Sequence, residues 1–181
     1  MITTKYLDRI KAVTDADLPI EIVEKSYLDY LKTQNPTYVS TRQLRSSNGI
    51  IISENFARCQ GITFLDNAQG IGALLHNYSL NDPYYTIKGQ WSNGENIEDP
   101  QKIFNCMNRV TAVHVYDKSS YEWPENCVTA PLIDIGIEKI FHVPIKSKNG
   151  RNYWRDIALD VKEGFVYVFP TDFDYGIKII I

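Results

Sequence analysis

The chain is poor in the residues that build disulfides and metal centres, and it has no block of like charge. Its three cysteines, Cys59, Cys106 and Cys127, form no CxxC pair. An odd, low count argues against a disulfide framework and for a reducing compartment. There are only three histidines and no HxxxH spacing, so no metal site is expected. Lysine and arginine nowhere form a run, and the net charge is −3. The clustered cations that nucleic acid or an anionic membrane surface would require are missing, so neither is expected as a partner. No apolar stretch approaches the length of a membrane-spanning helix. The segment from Met1 to Asp17 is mixed and polar, unlike a secretory leader. The expected location is cytoplasmic, or a host cytosol reached by an export machine that reads another kind of signal. Phosphate loops are absent too: Gly70-Ile71-Gly72 lacks a third glycine and a following helix, and no cofactor is expected.

What is present is an ordinary globular balance, 44% hydrophobic and 23% charged over 181 residues, the size of one domain. Tyrosine is in excess, with 12 copies, which suits half-buried strands and a face that touches a partner. The first 36 residues read as helical: Asp17 as N-cap, Pro19 in the first turn, then Ile20, Val23, Tyr27, Tyr30 and Leu31 on one face, ended by Asn35-Pro36. From Gly49 the period changes. Ile50–Ile52, Ile62–Leu65 and Ile71–His76 read as strands, the last two joined by the turn Asn67-Ala68-Gln69-Gly70. Asp99-Pro100 opens a short helix through about Met107. Val110–Tyr116, Val143–Ile145, the Ile157–Val161 and Phe165–Phe169 hairpin around Gly164, and Tyr175–Ile181 complete a sheet-rich core over 49–181. The fold class is α+β: a mixed or largely antiparallel sheet packed with an N-terminal helix and one or two further helices.

Chemistry points to one hairpin. If the Asn67–Gly70 turn pairs Asp66 with Ile71, counting outward brings Cys59 level with Tyr78, two residues from His76. Residues two apart share a face, so Cys59 and His76 become diagonal neighbours, while a slip of one residue would separate them. An imidazole beside a thiol can take its proton, hold the thiolate for attack on a carbonyl, and then protonate the leaving group. Backbone N–H groups of the Arg58-Cys59-Gln60 turn are candidates for the oxyanion. Ser53, at the end of the preceding strand, is the nearest group to orient the imidazole. A buried cysteine that is plain packing competes with this reading.

These residues resemble the CheD-type chemoreceptor glutamine deamidases and, more distantly, the catalytic domains of the cytotoxic necrotizing factor toxins. In those families a hydroxyl residue precedes a nucleophilic Cys, and a base His ends the next hairpin within a pattern of Gly, small and apolar residues. Ser53, Cys59 and the run Gly70-Ile71-Gly72-Ala73-Leu74-Leu75-His76 occupy those places, and the order of later elements is similar from about Gly49 to Phe169. The chain departs from the CheD pattern in carrying Ala57-Arg58 before the Cys, where CheD has Gly-Ser. The glycine-rich motif before the late Arg is reduced to Asn149-Gly150-Arg151. The resemblance implies a cysteine-dependent protein glutamine deamidase working through a thioester, with Cys59, His76 and Ser53 catalytic, and a protein substrate. The departures suit a bacterial effector acting on a host protein as well as a receptor deamidase.

Transglutamination is the same chemistry with an amine replacing water, and a cysteine peptidase would need the same pair plus an extended cleft. The alternative of another class is a non-catalytic interaction module with a tyrosine-rich binding face. Gln60, beside the nucleophile, and Tyr84 and Trp91, in the polar, aromatic loop from Ser79 to Asn96, are the candidates for substrate contact. His114 alternates with valines on a strand and reads as solvent-exposed or hydrogen-bonded, His142 similarly, and Cys106 reads as core.

Overall fold

In the computed structural model, residues 4–56, 59–77, 100–118, 125–137, 139–147 and 155–181 are described. The helices are α1 (Thr4–Val13), α2 (Ser26–Thr33), α3 (Pro100–Asn105) and α4 (Glu125–Asp134). The strands are β1 (Ile20–Glu24), β2 (Thr37–Tyr38), β3 (Leu44–Ser47), β4 (Ile50–Ser53), β5 (Gln60–Asp66), β6 (Ile71–Asn77), β7 (Thr111–Asp117), β8 (Lys139–Ile145), β9 (Arg155–Asp160), β10 (Phe165–Pro170) and β11 (Tyr175–Ile180). The α+β class with an N-terminal helix and mixed strand pairing is what the sequence implied.

The strands divide between two sheets. One runs β1-β11-β10-β9-β4-β2, and the other runs β3-β6-β5-β7-β8. All pairs are antiparallel except β2 with β4 and β7 with β8. Period-two alternation explains the layering. On β9 and β10, Ile157, Leu159, Val166 and Val168 join Leu65, Leu74, Val113 and Val115 of the other sheet in one buried cluster. The intervening Ala158, Tyr167 and Phe169 turn outward to Leu28 and Leu31 of α2. In the five-stranded sheet, Ile62, Phe64 and Leu75 likewise turn outward, toward Ile103 of α3 and Val128 and Leu132 of α4. Helix, sheet, sheet and helix are thus stacked, and the central strand β5 is buried at every residue. Among the described residues, no helix is long and apolar enough to cross a membrane.

Two glycines set how closely the sheets approach. A Cβ on Gly61 would lie 2.2 Å from Ile157 Cδ1, and one on Gly72 would lie 2.5 Å from Val161 Cγ2, both side chains of the opposite sheet. Gly61 pairs with His76, so this close approach is built into the candidate hairpin.

The N-terminal segment departs from expectation. Residues 20–24 are a strand, not the first turns of a helix, and the helix begins only at Ser26. Ile20 and Ile22 alternate with Glu21 and Val23, and the edge of β11 offers Ile20–Glu24 a full antiparallel partner. Tertiary pairing outweighs a helical spacing that five residues cannot establish. Strand β3, also unforeseen, closes the edge of β6.

Candidate active site

The hairpin register is the one counted from the turn: Asp66 pairs with Ile71, Gly61 with His76 and Gln60 with Asn77. The turn itself is clasped by Asp66. Its Oδ1 accepts the N–H groups of Ala68 (3.0 Å) and Gln69 (3.2 Å), and its Oδ2 accepts those of Asn108 (2.6 Å) and Arg109 (3.0 Å). Burial pushes this carboxyl up, but the four N–H donors together outweigh it, and its pKa lies below the ordinary value. Gly70 takes the left-handed conformation the turn needs, at φ 62°.

Ser53 ends β4 on the same face as Ile51, which points into the layer between the sheets. Across that layer its Oγ lies 2.8 Å from His76 Nδ1 and 2.6 Å from the carbonyl oxygen of Val39. A hydroxyl has one proton to give. The carbonyl can only accept, so the Ser53 proton goes to Val39, and His76 must donate Nδ1–H to Oγ. The ring is therefore the Nδ1–H tautomer, with the lone pair on Nε2. Phe56 stacks on the ring at 3.7 Å between centroids and 17° between planes. The main chain just before β3 holds the residue, through His76 N–H to Gln43 O (3.0 Å) and Arg42 N–H to His76 O (2.7 Å).

His76 is 1% exposed, and Nε2 is buried with no hydrogen-bond partner among the described residues. Burial, and then the charge of Arg155, lowers its pKa from 6.5 to about 3. The imidazole is thus neutral over the physiological range, with an unpartnered lone pair on Nε2 and a basicity weakened by burial. Cys59 is 5% exposed and belongs to the inter-sheet cluster together with Phe56, the ring that covers His76. The thiol does not hydrogen-bond Nε2 in this arrangement. Ser53, Cys59 and His76 are brought to one end of one buried layer.

Two further residues of this layer escaped sequence reasoning. Arg155, the first residue of β9, is fully buried, and its Nη2 donates to Cys59 O at 2.7 Å. Phe56 is also fully buried, and its N–H donates to Arg155 O at 2.9 Å. A signal for Arg155 existed: it is in phase with Ile157 and Leu159, so strand alternation alone puts it on the inward face.

Gln60 points the other way. It is 2% exposed, and its Oε1 lies 3.1 Å from His114 Nε2. His114 Nδ1 lies 3.1 Å from His142 Nδ1, and His142 Nε2 lies 3.0 Å from Thr129 Oγ1 on α4. This polar chain crosses the helix-covered face of the sheet, opposite His76, so the structure does not bring the Gln60 side chain to the Cys59–His76 layer. His114 does face away from its valines and is hydrogen-bonded, but it is buried, not exposed. Burial, the neighbouring His142 and then Arg155 hold its pKa well below 6.5. Cys106 is exposed, not core, because α3 ends before it. Tyr84 and Trp91 lie outside the described residues, as do the side chain of Cys127 and the Arg58 part of the oxyanion turn. Among the described residues, no group of three or more His, Cys, Asp or Glu side chains is arranged to hold a metal ion.

No protein-family model matches the chain, and no curated protein matches it.

Proposed function

We propose that the protein is a cysteine-dependent protein glutamine deamidase, with Cys59 as nucleophile, His76 as base and acid, and Ser53 as the residue that orients His76. One observation carries the reading: Ser53 spends its only proton on Val39 O, so it takes Nδ1–H from His76 and leaves Nε2 bare at the end of the hairpin that carries Cys59. The tautomer leaves the Nε2 lone pair to accept the thiol proton, and because burial makes the resting ring a weak base, that transfer runs in concert with the attack of Sγ and not ahead of it. The resemblance to the CheD-type deamidases points to the same three residues. A bacterial effector acting on a host protein suits the departures from that family as well as a receptor deamidase does.

The steps balance without a cofactor. The thiol proton passes to His76 Nε2 as Sγ adds to the side-chain carbonyl carbon of a glutamine. The oxyanion faces the backbone amides at the start of β5. The imidazolium gives its proton to the nitrogen, the C–N bond breaks, and ammonia leaves a thioester. Water then loses a proton to Nε2 and adds to the thioester. The C–S bond breaks, glutamate leaves, and the thiolate recovers its proton from the ring.

The test is ammonia release from a carbobenzoxy-Gln-Gly dipeptide and from unfolded casein. Isotopic water should place one heavy oxygen in the new carboxylate. Cys59→Ser and His76→Asn should abolish release. No release by the wild type, or equal release by Cys59→Ser, ends the proposal; incorporation of an added amine instead of water would make the enzyme a transglutaminase. The second reading, an interaction module, draws on Tyr30 and Tyr38, which are 52% and 51% exposed. It gains if the wild type releases nothing while a partner protein protects those two rings.

A further inference from the structure

Arg155 is the largest fully buried side chain among the described residues. Arginine stays protonated in proteins, and taking that charge out of water is costly. The guanidinium is placed against the main chain of the nucleophile. Its Nη2 donates to Cys59 O at 2.7 Å, and its Cζ lies 5.9 Å from the centroid of Phe56, the ring that also stacks on His76. Covalent geometry and one hydrogen bond keep such a group within about 7 Å of the Sγ of the same cysteine.

Among the described residues, the histidines on the surrounding strands do not supply a cation. His76 on β6 is kept neutral by burial and by Arg155 itself. His114 on β7, with His142 on β8, lies on the far face of β5 and is also held neutral. Asp156 on β9 accepts Asn55 N–H at 2.9 Å, and Glu54 pairs with Lys32 at 2.5 Å. Continuing the β5–β7 register past Gly61 and Val115 puts the buried Asp117 level with Cys59, where a carboxylate works against a thiolate. Any stabilisation of the thiolate is therefore what Arg155 provides net of Asp117 and of the burial of Cys59 in an apolar cluster, which by itself raises a thiol pKa.

We propose that Arg155, and not an imidazolium at His76, is the cation that stabilises the Cys59 thiolate, which makes it the positioning residue that sets the charge of the nucleophile. The inference rests on the reading above only in taking Cys59 as the nucleophile. In turnover the thiol proton still passes to His76 Nε2 and on to the leaving nitrogen. Arg155 exchanges no proton and acts on the charge that appears on Sγ at attack and again when the thioester opens.

The test needs no substrate. Iodoacetamide alkylation of Cys59 in the intact chain, followed by peptide mass spectrometry across a pH series, reads the thiolate fraction, because only the thiolate displaces iodide. In the wild type the half-maximal rate should fall at least about one pH unit below the ~8.5 of an ordinary cysteine. Arg155→Lys should hold that midpoint to within about half a unit. Arg155→Met should raise it by about a unit or more, a loss of roughly tenfold in rate near neutral pH. His76→Asn should leave the midpoint in place. A wild-type midpoint at or above ~8.5 overturns the proposal whether or not Arg155→Met folds. A midpoint that rises in His76→Asn but not in Arg155→Met overturns it as well. A low midpoint that follows Arg155, in a protein that releases no ammonia, upholds it while ending the deamidase reading.

Discussion

Acid should destabilise this protein in large part through one imidazole. In the folded chain burial, and then the Arg155 charge, hold the His76 ring at about 3, against an ordinary 6.5. Below pH ~6.5 the unfolded chain takes up a proton that the folded chain refuses, so stability falls as pH falls. The contribution is complete above the unfolded value and is progressively lost down to the folded one. Each unit is worth about 1.4 kcal/mol, so about 2 kcal/mol is gone at pH ~5 and about 4 kcal/mol by pH ~3. His114 shifts in the same direction and adds to the slope, so the His76 share must be isolated by a variant. Urea unfolding of the wild type and of His76→Asn at about pH 7 and about pH 5 does this: the variant should lose about 2 kcal/mol less between the two. Proton–nitrogen spectra of the ring supply the independent check, with a single neutral tautomer protonated at Nδ1 throughout that range. A ring titrating near 6.5, or equal pH dependence in the two proteins, refutes the burial argument. A ring protonated at Nε2 refutes the role given to Ser53.

Ser53→Ala should strand a buried Nδ1–H and the Val39 carbonyl, lowering stability by about 1–3 kcal/mol; ammonia release should fall through kcat, and Ser53→Thr should recover most of it. Asp66→Asn should cost about 2–4 kcal/mol in chemical denaturation, since an amide oxygen cannot serve four backbone donors as a carboxylate does. The lowered Asp66 pKa means that this stabilisation is present above its unfolded value and is lost as pH falls through the folded one. Gly61→Ala should cost about 1–3 kcal/mol, because its Cβ meets Ile157 Cδ1 and, at 3.2 Å, the Phe56 ring, and Ile157→Val should restore part of it.

The hairpin was legible because its signals are local. Asn67–Gly70 sets a turn, the apolar runs on either side set two strands, and a period of two then decides which side chains share a face. The shared face of Cys59 and His76 follows from that count, whereas Ser53 stands on a strand of the other sheet. The segment at residues 20–24 was not legible in the same way. Five residues fit either period, and its partner β11 lies about 150 positions further along the chain. Nor was the helix at Glu125–Asp134 foreseen, for it carries Pro131 inside it and shows no clear apolar stripe. His114 was placed on the correct face, but whether that face met water or a helix depended on α4.

Sequence alone determined the strand-rich α+β character, the register of the β5–β6 hairpin and the face of the sheet that Cys59 and His76 share. Tertiary structure decided what those residues can do. The second sheet carries Ser53 against Nδ1 and so selects the tautomer; it also buries Arg155 behind the Cys59 carbonyl. A tautomer, a desolvated ring and a buried charge are properties of atoms from distant segments meeting in a place without water. No count along the chain contains them, because the low dielectric that gives them their size exists only once the two sheets have closed.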